Sequence, residues 1–349
     1  MTAPLRAGLI GLGHMGRHHA RVLGQLPDVE LVAAADPSAE APGRGSVTVD
    51  VVGSVPELLD RGLDLCVVAT PTVTHEEIGL QLAEAGVPTL IEKPLAHDSK
   101  AAQKLVEAFE RNGVVGCVGH IERFNPALRE LRRRLAEGQL GEVYQIVTRR
   151  QGPFPARIAD AGVILDLATH DIDLTRWVAG SLYTSVSART AHRSGREHED
   201  LVSAVGTLEN GVVVTHLVNW LSPLKERITA VTGEKGCLVA DTVSADLTFF
   251  ANGTQTVEWA RVASFRGVTE GDVTRYAFPK PEPLVTELSG FVAAVRGTPG
   301  DTVTMTEALR TVKVAELLAE SASAGRTVEV PAPLPAQRSA MDVAAGVAR

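Results

Sequence analysis

Leu5-Arg6-Ala7-Gly8-Leu9-Ile10-Gly11-Leu12-Gly13-His14-Met15-Gly16 is the stretch on which the reading of this chain turns. An apolar run ends at Ile10. Three glycines follow at the spacing G-x-G-x-x-G. His14–Leu26 then has Met15, Ala20, Val22 and Leu23 as the apolar positions of a helix. A glycine turn between a strand and a helix is the context in which that spacing means a dinucleotide. Gly11 allows the tight turn, Gly13 lets backbone approach a pyrophosphate at the helix N-terminus, and Gly16 lets helix pack on strand. The next apolar run, Leu31–Ala35, ends on Asp36, 20 residues after Gly16. A carboxylate there accepts hydrogen bonds from ribose hydroxyls and repels a 2′-phosphate. The expected cofactor is therefore NAD rather than NADP, held by Gly11, Gly13, His14, Met15, Gly16 and Asp36.

Outward from that stretch, the first half alternates. Apolar runs at Leu63–Ala69, Thr89–Ile91 and Val114–Val118 are separated by helical patterns at Val55–Arg61, His75–Ala85 and Ser99–Asn112. Continuous apolar strands alternating with helices predict a parallel sheet covered on both faces. After about residue 124 the pattern changes. A helix over Pro126–Glu137 is followed by β-like runs from Val143–Arg150 to Thr256–Ala260, with turn signals at Glu209-Asn210-Gly211 and Ala251-Asn252-Gly253. Helices are expected at Ile172–Val178, Leu284–Val295 and Glu307–Glu320. The last carries a capping-box pair, Thr304 and Glu307. The fold class is α/β: a Rossmann domain over residues 1–123, then an α+β domain over 124–349 with a large, mainly antiparallel, open-faced sheet.

At 349 residues the chain exceeds the roughly 250–300 at which one core stops growing, which agrees with two domains. A net charge of −8 argues against a nucleic-acid binder. The run Arg132-Arg133-Arg134 spreads around a helix and reads as a solvated face. No apolar run reaches the length of a membrane span, and no leader pattern opens the chain. Cys66, Cys117 and Cys237 are far apart and form no CxxC pair, so the expected location is the cytoplasm. His18 and His19 are adjacent and cannot face the same way; packing or solvation is expected of them.

Several segments together resemble one family. Ala69-Thr70-Pro71 with His75, Glu92-Lys93-Pro94, Gly119-His120-Ile121-Glu122-Arg123-Phe124-Asn125-Pro126, and Asp166 with His170 in Val163–Asp173 follow the order and spacing of the Gfo/Idh/MocA sugar and inositol oxidoreductases. The resemblance runs over nearly the whole chain. It implies that Thr70, Pro71 and His75 border the nicotinamide side, that Glu92, Lys93 and Arg123 belong with the cofactor set, and that Lys93 also reaches the reacting hydroxyl. It makes His170 the acid–base residue and Asp166 its companion. It also implies a homodimer or homotetramer through the C-terminal sheet.

The residue types suit that chemistry. Oxidising a secondary alcohol removes a hydride and a proton; the cofactor takes the first and the protein the second. A histidine, with an ordinary pKa near ~6.5, accepts a proton at neutral pH. A lysine stabilises developing charge on oxygen. Asp166, His170 and Asp173 at i, i+4 and i+7 also have a metal-like spacing, but no second ligand cluster accompanies them, so no metal is expected. A finer likeness, including Gly152-Pro153-Phe154-Pro155-Ala156-Arg157, is to UDP-N-acetylglucosamine 3-dehydrogenases. It implies a sugar or nucleotide-sugar substrate oxidised at C3. Arg149, Arg150 and above all Arg157 are then the candidate diphosphate cations, and Arg157, Asp166 and His170 the candidate substrate contacts. A 3-ketosugar reductase or an inositol dehydrogenase is the alternative. A non-catalytic dinucleotide sensor stands behind both, because Lys93, Asp166 and His170 are all present.

Overall fold

A computed structural model describes residues 3–38, 45, 47–155, 161–253 and 269–332. The chain forms two compact units: residues 1–121 with 282–316, and residues 122–281 with 317–349.

In the first unit, strands β1 (Leu5–Ile10), β2 (Val29–Ala35), β3 (Asp50–Val52), β4 (Leu65–Val68), β5 (Thr89–Glu92) and β6 (Gly116–Gly119) make one sheet in the order β3-β2-β1-β4-β5-β6. Every pairing is parallel. Between them run α1 (His14–Leu23), α2 (Val55–Leu59), α3 (His75–Glu84) and α4 (Ser99–Asn112). This is the doubly wound Rossmann order. Its strand order reverses between β1 and β4, which opens a ligand crevice at their carboxyl ends. Successive strand residues feed opposite faces. Cys66, Val68 and Ile91 pack with Leu82 and Leu105 on one side, and Leu65, Val67 and Leu90 with Ala20 and Leu23 on the other.

The sequence reading placed all of 124–349 in the second domain, but residues 282–316 return to the first unit. Helix α7 (Pro283–Val295; α5 and α6 are described below) adds Leu284, Leu288 and Phe291 to the Leu65–Leu90 side. Met305, Ala308 and Leu309 join the opposite side, and Val118 N–H donates to Val303 O beside β6. These are ordinary apolar contacts between segments more than 150 residues apart, and local pattern carries no trace of them. The capping box forms as read: Glu307 N–H donates to Thr304 Oγ1 (3.2 Å) and Thr304 N–H to Glu307 Oε2 (3.1 Å).

The second unit opens with α5 (Pro126–Ala136) and β7 (Val143–Pro153), followed by α6 (Thr169–Ala179). Strands β8 (Tyr183–Ala191), β9 (Leu201–Leu208), β10 (Val213–Asn219), β11 (Leu221–Gly233), β12 (Gly236–Asp241), β13 (Asp246–Gly253) and β14 (Thr269–Arg275) complete the set, with a short β15 (Val328–Glu329) at the edge. They form one sheet, β14-β13-β12-β11-β7-β10-β9-β8-β15, antiparallel except between β7 and β10. Burial along β7 alternates, with Ile146, Thr148 and Arg150 inward and Val147 and Arg149 outward. On the outward face Val205, Val213 and Phe250 stay more than 40% exposed. The arginine run on α5 is individually partnered: Arg132 lies over Trp177, while Arg133 and Arg134 bind Glu130. Thr256–Ala260, read as a strand, lies outside the described residues.

Candidate active site

The glycine turn follows β1. Gly11 has φ +91°, and a side chain there would meet Ala69 O at 2.5 Å. A Cβ on Gly16 would fall 2.0 Å from Gly11 O. Gly13 differs: among the described residues nothing lies within 4 Å of the position its Cβ would take. It is also the N-cap of α1, whose first turn has no side-chain cap. Two glycines are thus demanded by packing, and the third leaves room above a helix N-terminus with unpaired N–H groups, which fits a pyrophosphate. His14 is exposed and Met15 half-buried beside that opening. Asp36 ends β2; its Oδ2 accepts Leu12 N–H (2.7 Å) and its Oδ1 accepts Ser38 N–H (2.8 Å). An ionised carboxylate has lone pairs left for ribose hydroxyls. The residues present fit NAD.

Thr70 and Pro71 follow β4, in the loop that closes on β1 through Ala69 N–H to Ile10 O (2.8 Å). His75 is fully buried. Its Nδ1 lies 3.0 Å from Pro94 O and its Nε2 3.0 Å from Thr70 O. Burial outweighs those two carbonyls and holds its pKa below the ordinary value. Both ring edges face backbone. The histidine expected among the cofactor contacts therefore clamps the loop after β4 to the loop after β5, and so holds Thr70 and Pro71 in place.

Glu92 also departs from the expectation. Its Oε1 lies 2.7 Å from His19 Nε2, and its Oε2 accepts the Lys93 N–H at 3.1 Å. Burial pushes its carboxyl up, but the hydrogen bond and charge of His19 and the charge of Lys93 outweigh this and hold it below the usual range. Glu92 is turned inward as a support, while Lys93, the next residue, is half-buried.

In the second unit Asp166 sits in a single π-helical turn, Ile164–Ala168, that runs directly into α6. Thr169 N–H reaches back to Ile164 O. Wide turns of this kind occur inside helices at functional positions. Asp166 and His170 are half-buried, whereas residues 171–178 are all buried. The head of the helix therefore offers an aspartate and a histidine, and its body is core. Glu199, before β9, secures the turn: its Oε1 accepts Ile164 N–H (2.9 Å) and its carbonyl accepts Val163 N–H (3.0 Å).

Beneath α6 lies a buried ionic layer. Arg150 Nε donates to Asp171 Oδ2 (2.9 Å) and its Nη1 to Glu122 Oε1 (2.7 Å). Burial pulls the Arg150 pKa down, but Asp171 and Glu122 outweigh this and raise it. Arg123 Nε donates to Asp173 Oδ2 (2.6 Å), and its Nη2 to the other oxygen. Arg227 lies within electrostatic reach of Asp166 and Asp171. A polar chain runs alongside: Thr148 Oγ1 to His216 Nδ1 (2.7 Å), His216 Nε2 to Tyr183 OH (2.9 Å), and Tyr183 OH to Thr175 Oγ1 (2.6 Å). Thr175 then donates to Asp171 O (2.8 Å). Burial, helped by the Arg150 charge, pushes His216 down to about 4.

Two further sequence expectations change here. Arg123, expected with the cofactor set, gives its fork to Asp173 within the second unit. Arg150 is a buried structural cation rather than a phosphate contact, and Arg149, on the outward face, pairs with Glu226 at 3.4 Å. Asp173, third in the metal-like spacing, is the partner of Arg123. Arg157 lies outside the described residues. Sequence reasoning had His19 as packed or solvated but did not name Glu92 as its partner, and it missed Glu199 and the Glu122–Asp171 layer. Each acts through a partner far along the chain, and only the burial of a charged residue inside an apolar pattern hints at it.

A dinucleotide cradle in one unit and a histidine–carboxylate pair at a helix head in the other define a nicotinamide-dependent oxidoreductase architecture. Residues 5–120 match the oxidoreductase family with NAD-binding Rossmann fold, and residues 128–239 the GFO/IDH/MocA C-terminal domain. The chain belongs to the Gfo/Idh/MocA family. Myo-inositol dehydrogenase Hyg17 of Streptomyces leeuwenhoekii is 34% identical over 67% of this chain and 76% of its own length. Inositol 2-dehydrogenase 2 of Saccharopolyspora erythraea is 35% identical over 60% of this chain; the match spans 65% of that relative's length. The solved structure of UDP-N-acetylglucosamine 3-dehydrogenase GnnA from Acidithiobacillus ferrooxidans superposes with a TM-score of 0.80 at 26% identity, covering 93% of this chain and 99% of that one.

Proposed function

We propose that the protein is an NAD-dependent dehydrogenase acting on a ring hydroxyl, at C3 of a UDP-sugar such as UDP-N-acetylglucosamine, to give the 3-keto sugar. The observation that carries this is the pairing of Asp166 and His170 at the half-buried head of an otherwise buried helix. When bound, NAD supplies the hydride acceptor. His170 takes the hydroxyl proton as the hydride leaves. Lys93 places positive charge on the same oxygen and stabilises the developing alkoxide. Asp166 orients the histidine or a neighbouring hydroxyl. The same residues run the reverse reduction.

The UDP-sugar reading is supported by the likeness to GnnA over nearly all of that chain. With Arg150 committed to Asp171 and Glu122, Arg157 is the cation assigned to the diphosphate. The two inositol dehydrogenases among the relatives favour a second reading, oxidation of a free cyclitol. The half-exposed valines and phenylalanine on the outward sheet face support assembly of two or four copies through that face. No helix among the described residues is long and apolar enough to cross a membrane. Cys66, Cys117 and Cys237 are free thiols, and a cytoplasmic location is proposed with them.

The test is reduced-nicotinamide absorbance with NAD and either UDP-N-acetylglucosamine or myo-inositol. Signal with inositol alone overturns the UDP-sugar reading. His170→Ala is expected to lower kcat by ~10²–10⁴-fold and leave NAD affinity unchanged; wild-type turnover would remove His170 from its role.

A further inference from the structure

Glu287 is a carboxylate where the fold gives it nothing to hold. It lies on α7, 2% exposed, and neither side-chain oxygen has a hydrogen-bond partner among the described residues. Leu284 and Phe291, three residues before and four after, share its helix face and belong to the apolar cluster on the Leu90 side of the first sheet. Two other polar groups enter that cluster. His19, completely buried, lies four residues before Leu23 on α1. Glu92, two residues after Leu90 on β5, points to the same sheet face. His19 Nε2 is bonded to Glu92, while its Nδ1 is buried with no partner among the described residues. One carboxyl without a donor or acceptor and one ring nitrogen without a partner thus face the same cluster, on packed helices α1 and α7.

We propose that Glu287 is a positioning residue: it completes a buried Glu287–His19–Glu92 chain that fixes the histidine tautomer and, through Glu92, the end of β5 that carries Lys93. Glu92 from β5 and Cys117 from β6 lie within electrostatic reach of Glu287; Glu307 reaches Cys117 from the helix that follows α7, and His19 of α1 is bonded to Glu92. Burial, reinforced by the like charge of Glu92, pushes the Glu287 carboxyl well above the usual range. In its protonated form, which burial favours, it is an O–H donor. His19 Nδ1 is the acceptor that suits it. With Nδ1 accepting, the ring proton stays on Nε2, where it is donated to Glu92. Glu92 can then remain ionised, with its second oxygen on the Lys93 N–H. Without the donor, the ring is free to carry its proton on Nδ1, which turns a lone pair toward a carboxylate.

The part concerning Lys93 rests on the proposed reaction; the chain of three does not. The experiment is NMR on the full-length protein with labelled histidine and glutamate, comparing wild type, Glu287→Gln and Glu287→Leu, with His19→Gln to assign the histidine signals. In wild type His19 is expected as the Nε2–H tautomer with a hydrogen-bonded Nδ1, and Glu287 as a protonated carboxyl at neutral pH. Glu287→Gln keeps a donor and should preserve the tautomer. Glu287→Leu should lose the Nδ1 hydrogen bond, raise the Glu92 titration midpoint, and move the acid limb of the kcat profile to higher pH. A merely structural acid would change the melting temperature and leave all three unmoved. An ionised Glu287 at neutral pH, or wild-type His19 and Glu92 signals in Glu287→Leu, would overturn the proposal. Absence of turnover with every sugar would refute the assigned reaction instead, and the NMR outcomes would still decide this one.

Discussion

The glycine turn of the first unit offers backbone to its ligand, whereas the head of α6 in the second unit offers side chains. Their supports differ to match. Around the turn, Gly11 and Gly16 are held by direct approach of main-chain atoms, and Gly13 by the need for room. Under α6, Arg150, Asp171, Glu122, Arg123 and Asp173 form an ionic layer drawn from three separate segments, with His216 and Tyr183 alongside. A backbone site tolerates little beyond glycine but needs few partners. A side-chain site depends on every buried charge beneath it being answered. Breaking one partner of a buried pair is costly because the other charge stays buried.

The largest expected effect comes from that layer. Asp171→Ala leaves Arg150 with Glu122 alone and should destabilise the protein by about 3–5 kcal/mol, read by urea or thermal unfolding. NADH fluorescence titration in the folded variant should give wild-type affinity; loss of both together would mean that the two supports are not separate.

A pH series sharpens the same contrast. His216 titrates near 6.5 when unfolded and about 4 when folded. Between those values the unfolded chain binds more protons, so stability rises with pH through that window. The contribution is complete above about 6.5 and lost as pH falls toward 4, to a total of roughly 3 kcal/mol. His216→Phe should flatten this part of the curve; an unchanged slope would place the acid sensitivity elsewhere.

The smallest effect in free energy belongs to the backbone site. Gly16→Ala puts a methyl 2.0 Å from Gly11 O, so the turn must shift. Overpacking of that kind costs about 1–3 kcal/mol. It should appear mainly as a ~10–100-fold weaker NAD affinity, with unfolding of the second unit unaltered. Wild-type affinity would show that the turn absorbs a side chain and that its glycine is not needed for close packing.

Much of the first unit was legible because its logic is local. The glycine spacing, the acid at the end of β2 and the Glu-Lys-Pro element each lie at a strand end, and the alternation of apolar runs places those ends together. The α6 head was legible as a pair of residues through the family resemblance, which singles out Asp166 and His170. Its π-helical turn was not, because one extra residue in a helical turn leaves the apolar pattern nearly unchanged. Arg150, Arg123 and His75 were recognised as residues that matter and given the wrong partners. A cation or an imidazole in a sequence announces that it needs a counterpart without naming it, and here the counterparts are Asp171, Asp173 and two backbone carbonyls. β14 was unread, since its polar run Thr269–Arg275 carries no apolar alternation of its own.

The sequence by itself determined the dinucleotide cradle, the order of the two architectures along the chain and the residue types available for proton transfer. Those depend on short-range geometry: turn conformation, strand and helix period, and spacing within one element. Tertiary structure alone decided that α7 returns to the first sheet, that His19 answers Glu92, and that Arg150 faces inward while Arg149 faces out. Each of these is set by which distant surfaces exclude water together, and a buried charge accepts only the partner that the packing brings to it.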